Sequence, residues 1–229
     1  MSATATATVT VFAGPSLRPA DLTHLRRLAE EQNRVLDLRP PVRRLDLSAL
    51  IGAEPPRRIV MLDGEFGQSL AVSVTEVRAL LFAGQPLAGA SSMGALRAVE
   101  CRTIGMTGSG WVYERYLNGS IESDGEVALL YDPEDYTPVT VPLVNVRWLL
   151  AKRVEDKGLL PEEAHTALEI ARSLNFRDRR HSVLLKQWKH GLPASAAAVL
   201  EEHFAADRLD HWDRKRLDAL EAVRAALSS

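Results

Sequence analysis

Over the first hundred residues, short β-branched apolar runs alternate with longer stretches whose apolar residues recur every three or four positions. The runs predict strands and the spaced stretches predict helices, because a strand buries alternate residues and a helix buries one stripe. Residues 9–13 form the first strand, stopped by Gly14-Pro15 after a serine- and threonine-alternating tail at 2–8 that is read as frayed. Ser16 then caps a helix through Asn33, with Leu22, Leu25 and Leu28 on its inner face. A second strand at 35–38 ends at Pro40-Pro41, and Leu45, Leu47, Leu50 and Ile51 form one helical turn before the Pro55-Pro56 break. The third strand, 59–62, closes at Asp63-Gly64. A helix over 68–83 points Ala71, Val74, Val77, Leu80 and Leu81 inward and stops at Gly84. The fourth strand, 87–90, leads into a helix over 93–104.

Strands alternating with helices at these intervals predict a parallel, Rossmann-like α/β sheet with right-handed crossovers. Ligands of such sheets bind at the carboxyl ends of the strands. Three loops converge there: Gly14-Pro15-Ser16, Asp63-Gly64-Glu65-Phe66 and Ser91-Ser92-Met93-Gly94. After them come a glycine-punctuated loop at 105–110, read as mobile, and a helix at 111–118. From Val141 the pattern is helical almost to the end, with helices expected over 143–157, 161–175, 179–190, 193–205 and 207–226. The expected organisation is an α/β domain at 1–140 and an all-helical domain at 141–229.

The passage from the fourth strand into its helix carries the candidate chemistry. Small-x-Ser-x-Gly, here Ala90-Ser91-Ser92-Met93-Gly94, resembles a nucleophile elbow, with alanine where the pattern usually has glycine. Small neighbours let the turn be tight and let a reacting group approach the backbone. The helix start adds unpaired N–H groups and a positive dipole end, suited to an oxyanion or a carboxylate. Arg97 and Glu100 follow at spacings that bring them to the same mouth. The alternative is that Ser91 or Ser92 only caps the helix and the alanines only pack.

Composition narrows the function classes. Twenty-eight basic against 30 acidic residues give no global charge to draw the chain to nucleic acid. No apolar window reaches the length of a membrane helix, and the N-terminus lacks a signal-peptide pattern, so a soluble, cytoplasmic protein is expected. The single cysteine, Cys101, excludes an intrachain disulfide and a multi-cysteine metal site; it is expected to pack as a small core residue. None of the six histidines falls in the α/β loops, and all are expected to be packed or at the surface. Glu122, Asp124 and Glu126 make an acidic cluster read as a solvated turn in preference to a cation site. No metal and no cofactor are expected on this chain.

Several blocks, taken in order, resemble the TfuA-like proteins. They are Val11-Phe12-Ala13-Gly14-Pro15-Ser16-Leu17, Asp63-Gly64-x-Phe66 and Ala90-x-Ser92-Met93-Gly94-Ala95-Leu96-Arg97-Ala98-x-Glu100. Gly105-Met106-x-Gly108-x-Gly110 with Tyr116, Asp124-x-Glu126-Val127-Ala128 and Leu143-Val144-Asn145-x-Arg147 continue the match. The resemblance implies a partner of YcaO enzymes in peptide backbone thioamidation, with ATP used by the YcaO-type enzyme. It further implies delivery of sulfur, with a small carrier protein ending in a thiocarboxylate as the source. On this reading Ser92 is the nucleophile, Glu76 its candidate base, and Arg97 the residue that orients Glu100 or binds the carrier tail. Ser91, Met93, Gly94, Asp63, Gly64, Glu100, Asp124, Glu126, Asn145 and Arg147 are the expected substrate-binding set. Two positions depart from the family: Val74 stands where members often carry histidine, and Gly125 interrupts their run of aspartates. A non-catalytic adaptor that docks on YcaO is the alternative, and a homodimer is left open.

Overall fold

The structure, a computed structural model, describes residues 7–53, 57–65, 67 and 70–228. The tail at 2–6, the Pro55-Pro56 break, Phe66 and the expected helix start at Gln68 lie outside the described residues. Two compact units divide the chain: 1–122 with 216–229, and 123–215. The helical pattern after Val141 is therefore shared between the units.

In the first unit, β1 (Thr8–Phe12), β2 (Val35–Arg39), β3 (Arg58–Met61), β4 (Leu87–Gly89) and β5 (Thr107–Gly108) form one sheet in the order β2-β1-β3-β4-β5. All the pairings are parallel. This is a doubly wound order whose direction reverses between β1 and β3, where such sheets open a crevice. Period-two burial explains why these segments are strands. Val60 and Leu62 enter a core with α1 (Pro19–Glu31) and α10 (Arg214–Ser228), whereas Ile59 and Met61 enter another with α2 (Val74–Phe82) and α3 (Met93–Cys101). Both faces are thus covered, as a parallel sheet requires.

The α/β class expected from the pattern is the observed one. Four of the five strands lie where the apolar runs put them, and the fifth is new. Thr107 and Gly108, read as loop, pair with Ala88 and Gly89 as an edge strand. The glycine is there for space: a Cβ on Gly108 would run into the Tyr113 ring. Helix starts also differ. α1 begins at Pro19 with Arg18 at its N-cap, leaving Ser16 free for another use. α2 begins at Val74, where Ser73 and Glu76 close a reciprocal capping box.

The second unit holds α5 (Leu143–Glu155), α6 (Pro161–Ser173), α7 (His181–Gly191), α8 (Ala194–His203) and the short α9 (Leu209–Trp212). Leu149, Leu184, Trp188 and Phe204 are fully buried at its centre. The helix expected over 207–226 is broken at Asp213, which has ψ 74° and accepts a hydrogen bond from Asn145 Nδ2 at 2.8 Å. Its carboxylate gains a buried partner there that a continuous helix does not supply. Among the described residues no helix is long and apolar enough to cross a membrane.

Candidate active site at the serine elbow

The strand registers set Phe12, Met61 and Gly89 side by side, so the loops after β1, β3 and β4 leave the sheet at one end. The third passes directly into α3, and α4 (Trp111–Leu117) follows β5. Two glycines make the tight passage possible. A Cβ on Gly94 would lie 2.6 Å from the Met61 carbonyl carbon, and one on Gly89 would lie 2.7 Å from the Gly94 carbonyl carbon. The first turn of α3 therefore sits directly on the backbone of β3 and β4.

Ser91 takes φ 67°, a left-handed conformation that costs an ordinary residue about 1–2 kcal/mol. It is fully buried, and its hydroxyl donates to Ser16 Oγ at 2.7 Å. Ser16 Oγ donates in turn to Asp63 Oδ1 at 2.7 Å. The other oxygen of Asp63 accepts the N–H groups of Gly14 and Ser16, both at 2.9 Å. One buried carboxylate thus joins the three loops that the sequence pattern brought together. The sequence offers Ser16 as a helix cap and as part of the first converging loop, but not as a partner of Asp63; the signal for that is its place opposite an aspartate at the end of β3.

Ser92 is 3 % exposed and occupies the N-cap of α3 without a capping hydrogen bond from its side chain. Its hydroxyl has no partner among the described residues. The neighbouring amides are mostly spent: Ser92 N–H on Ala90 O at 2.8 Å, Gly94 N–H on Leu62 O at 3.1 Å, and Ala95 N–H on Ser92 O at 3.0 Å. The Met93 N–H has no acceptor among the described residues. Of the N–H groups of Met93 and Gly94 at the helix start, only the first is unengaged among the described residues, because Gly94 ties the helix to β3.

The remaining candidates fall into two groups. Arg97 donates to Val72 O at 3.0 Å and pairs with Glu100, which fastens α3 to the segment before α2. Both oxygens of Glu76 are engaged: Oε1 by the Leu45 N–H at 2.6 Å, Oε2 by Ser73 N–H and Oγ at 3.1 and 3.2 Å. Gly64 lies against Met93 Sδ, so the 63–65 loop also touches the elbow. Asp124, Glu126, Asn145 and Arg147 belong to the second unit. There Glu126 and Arg147 form a bidentate pair with two 2.8 Å hydrogen bonds. Asn145 bridges Asp213 and the Lys215 N–H. Asp124 is exposed in a 3₁₀ turn.

Cys101, on the far part of α3, is fully buried. Burial pushes its thiol above the ordinary value, the Glu100 carboxylate adds to the rise, and Arg97 opposes it. A neutral, covered thiol is unreactive. Iodoacetamide at pH 8 is expected to leave Cys101 unmodified in native protein and to modify it stoichiometrically in guanidinium; rapid native labelling would contradict this burial.

The fold and the elbow define a doubly wound α/β protein with a serine turn at the carboxyl end of its sheet. The model of the TfuA-like protein family matches residues 63–180, just over half of the chain, and the chain belongs to that family. Membership gives it a role in the YcaO-associated thioamidation system. A comparison with curated proteins finds no match.

Proposed function

We propose that this protein supplies sulfur to a YcaO-type enzyme by hydrolysing a small carrier protein with a C-terminal thiocarboxylate. The observation that carries the reading is the pairing, within the family match, of an unengaged Ser92 hydroxyl with an unengaged Met93 N–H at the elbow. An acyl carbon attacked by Ser92 would place its developing oxyanion toward that N–H and the start of α3, the usual device for tetrahedral intermediates.

The chemistry needs no separate strong base. In the first step the Ser92 oxygen bonds to the thiocarboxylate carbon and the carbon–sulfur bond breaks. The serine proton leaves on the sulfur as HS⁻, so a neutral hydroxyl and an anionic thiocarboxylate give a neutral ester and one hydrosulfide ion. In the second step water cleaves the ester, restoring the Ser92 hydroxyl and releasing the carrier carboxylate and a proton. Glu76, whose oxygens hold Leu45 and Ser73, then acts on the loop that carries Val72 instead of on the serine. Arg97, fixed on α3 between Val72 and Glu100, binds the carrier tail. ATP is consumed on the YcaO-type partner, which takes up the sulfide.

Sulfide release from a thiocarboxylated carrier, read by a fluorogenic sulfide probe, tests the proposal. Ser92→Ala is expected to lower kcat/KM by about 10³-fold or more, the scale on which loss of a nucleophile is felt. Release that survives unchanged in Ser92→Ala would end the covalent mechanism. Absence of release from the unaltered protein, with intact binding to YcaO, would favour a docking adaptor instead.

A further inference from the structure

The elbow carries two adjacent serines, and their surroundings differ. Ser91 is buried with its hydroxyl engaged, whereas the Ser92 hydroxyl has no partner among the described residues. The direction of the Ser91 bond follows from counting protons. The Asp63 carboxylate accepts from Gly14 N–H, Ser16 N–H and Ser16 Oγ and donates to none of them. Ser16 has one hydroxyl proton, and Asp63 takes it. Between the two serines, Ser91 must therefore be the donor. Every hydroxyl proton in this chain is directed inward, toward the carboxylate between β1 and β3.

The backbone at Ser91 shows what the chain holds. A serine at φ 67° does not rest there by preference, and such strain persists only where surroundings over-determine it. The bond to Ser16 fastens this residue to the β1 loop, and Asp63 fastens that loop to the end of β3. With the turn held so, Ser92 N–H folds back on Ala90 O and Gly94 N–H reaches Leu62 O. The Met93 N–H between them is left pointing away from any acceptor among the described residues. A relaxed turn with negative φ at Ser91 would redirect the peptide planes on both sides of Ser92.

We infer that Asp63, Ser16 and Ser91 form a positioning lock that holds the elbow in its strained form and presents the Ser92 hydroxyl and the Met93 N–H together. The inference rests on the proposed acyl-transfer function of the elbow and gives Ser91 and Asp63 a place different from substrate contact. It also brings in Ser16, which lies outside the residues matched by the family model. The lock acts on the geometry of attack and not on the affinity for the carrier.

The test uses the whole protein and two readouts. A fluorophosphonate probe reports serine reactivity without any carrier, and its site is mapped by mass spectrometry; sulfide release gives kcat and KM separately. The lock predicts that the probe marks Ser92 in the unaltered protein. Ser16→Ala slows that labelling and lowers kcat by about tenfold or more while KM stays within threefold, and Ser16→Thr, which keeps the hydroxyl, recovers both. Ser91→Gly guards against a folding defect, because glycine takes φ 67° without strain while the hydroxymethyl group that reaches Ser16 is lost. It is expected to slow labelling as Ser16→Ala does, with an unchanged melting temperature. A probe that marks Ser91 would make it the nucleophile and overturn the lock. So would wild-type labelling in Ser91→Gly, or no labelling of either serine in the unaltered protein. Labelling of Ser92 that obeys the lock without sulfide release from the carrier would support the lock and reject the carrier reaction.

Discussion

Gly94→Ala is expected to remove about 3 kcal/mol or more of stability, at the upper end of what one added methyl does in a packed interior. The reason is local and steric. The new Cβ would overlap the Met61 carbonyl and lie 3.3 Å from the Leu62 Cα, all of it backbone that no rotamer change can clear. α3 would have to retreat from β3, and in doing so would give up the Gly94 N–H to Leu62 O bond. Met93, fully packed against Gly64, would move with it. Against a total of about 5–15 kcal/mol for a natural domain, that loss threatens folding itself. Gly84→Ala is the control: Gly84 has φ 80° and open space around it, so only the conformational cost of about 1–2 kcal/mol applies. Urea unfolding of the two variants separates crowding from strain, and equal midpoints for Gly94→Ala and the unaltered protein would show that the helix does not press on the sheet as described.

This contact illustrates what the sequence makes legible. The strands were readable because Val9, Val11, Ile59 and Val60 are β-branched and must be buried on both faces. The elbow was readable because only small residues fit a helix laid on a strand, and Ala90, Gly94 and Ala95 supply them. β5 was not readable: two residues, one of them glycine, carry no period. The start of α1 is read a few residues early because Ser16 is, in isolation, as good a cap as Ser73. The structure uses Ser73 as a cap and gives Ser16 to Asp63. That choice depends on a carboxylate 47 residues away, and nothing local encodes it. The amphipathic pattern of α10 shows that one face is buried but not against which partner. Its apolar residues Leu220, Val223 and Leu227 turn out to cover the sheet beside α1.

The return of α10 to the sheet rests on polar contacts as much as on apolar ones, and removing one of them should have the second large effect. Asp218 is fully buried and accepts the N–H groups of Trp111 at 2.9 Å and Val112 at 2.8 Å, so it caps α4 from another element. Gly110, at φ 95°, is glycine for the same reason: a Cβ there would lie 2.5–2.7 Å from the Asp218 carboxylate. Asp218→Ala would leave donors at the start of α4 without their acceptor and would remove a negative charge from a helix N-terminus. Orphaned buried groups cost about 1–3 kcal/mol each, and the lost charge adds a few tenths to one. A total of about 3 kcal/mol is expected from chemical denaturation. Asp218→Asn retains a single carbonyl acceptor and turns an NH₂ toward the other donor, so it should fall between the two. Arg216, two residues earlier on α10, binds Asp21 at 2.7 and 2.9 Å and remains to hold the helix, which is why local loosening should precede global unfolding. Hydrogen exchange reads this directly: in Asp218→Asn the amides of Trp111 and Val112 should lose protection while the β1 and β3 amides keep theirs. Gly110→Ala displaces the same carboxylate, so combining it with Asp218→Ala should cost less than the sum of the two. Additive costs would mean that Asp218 and the start of α4 are not coupled.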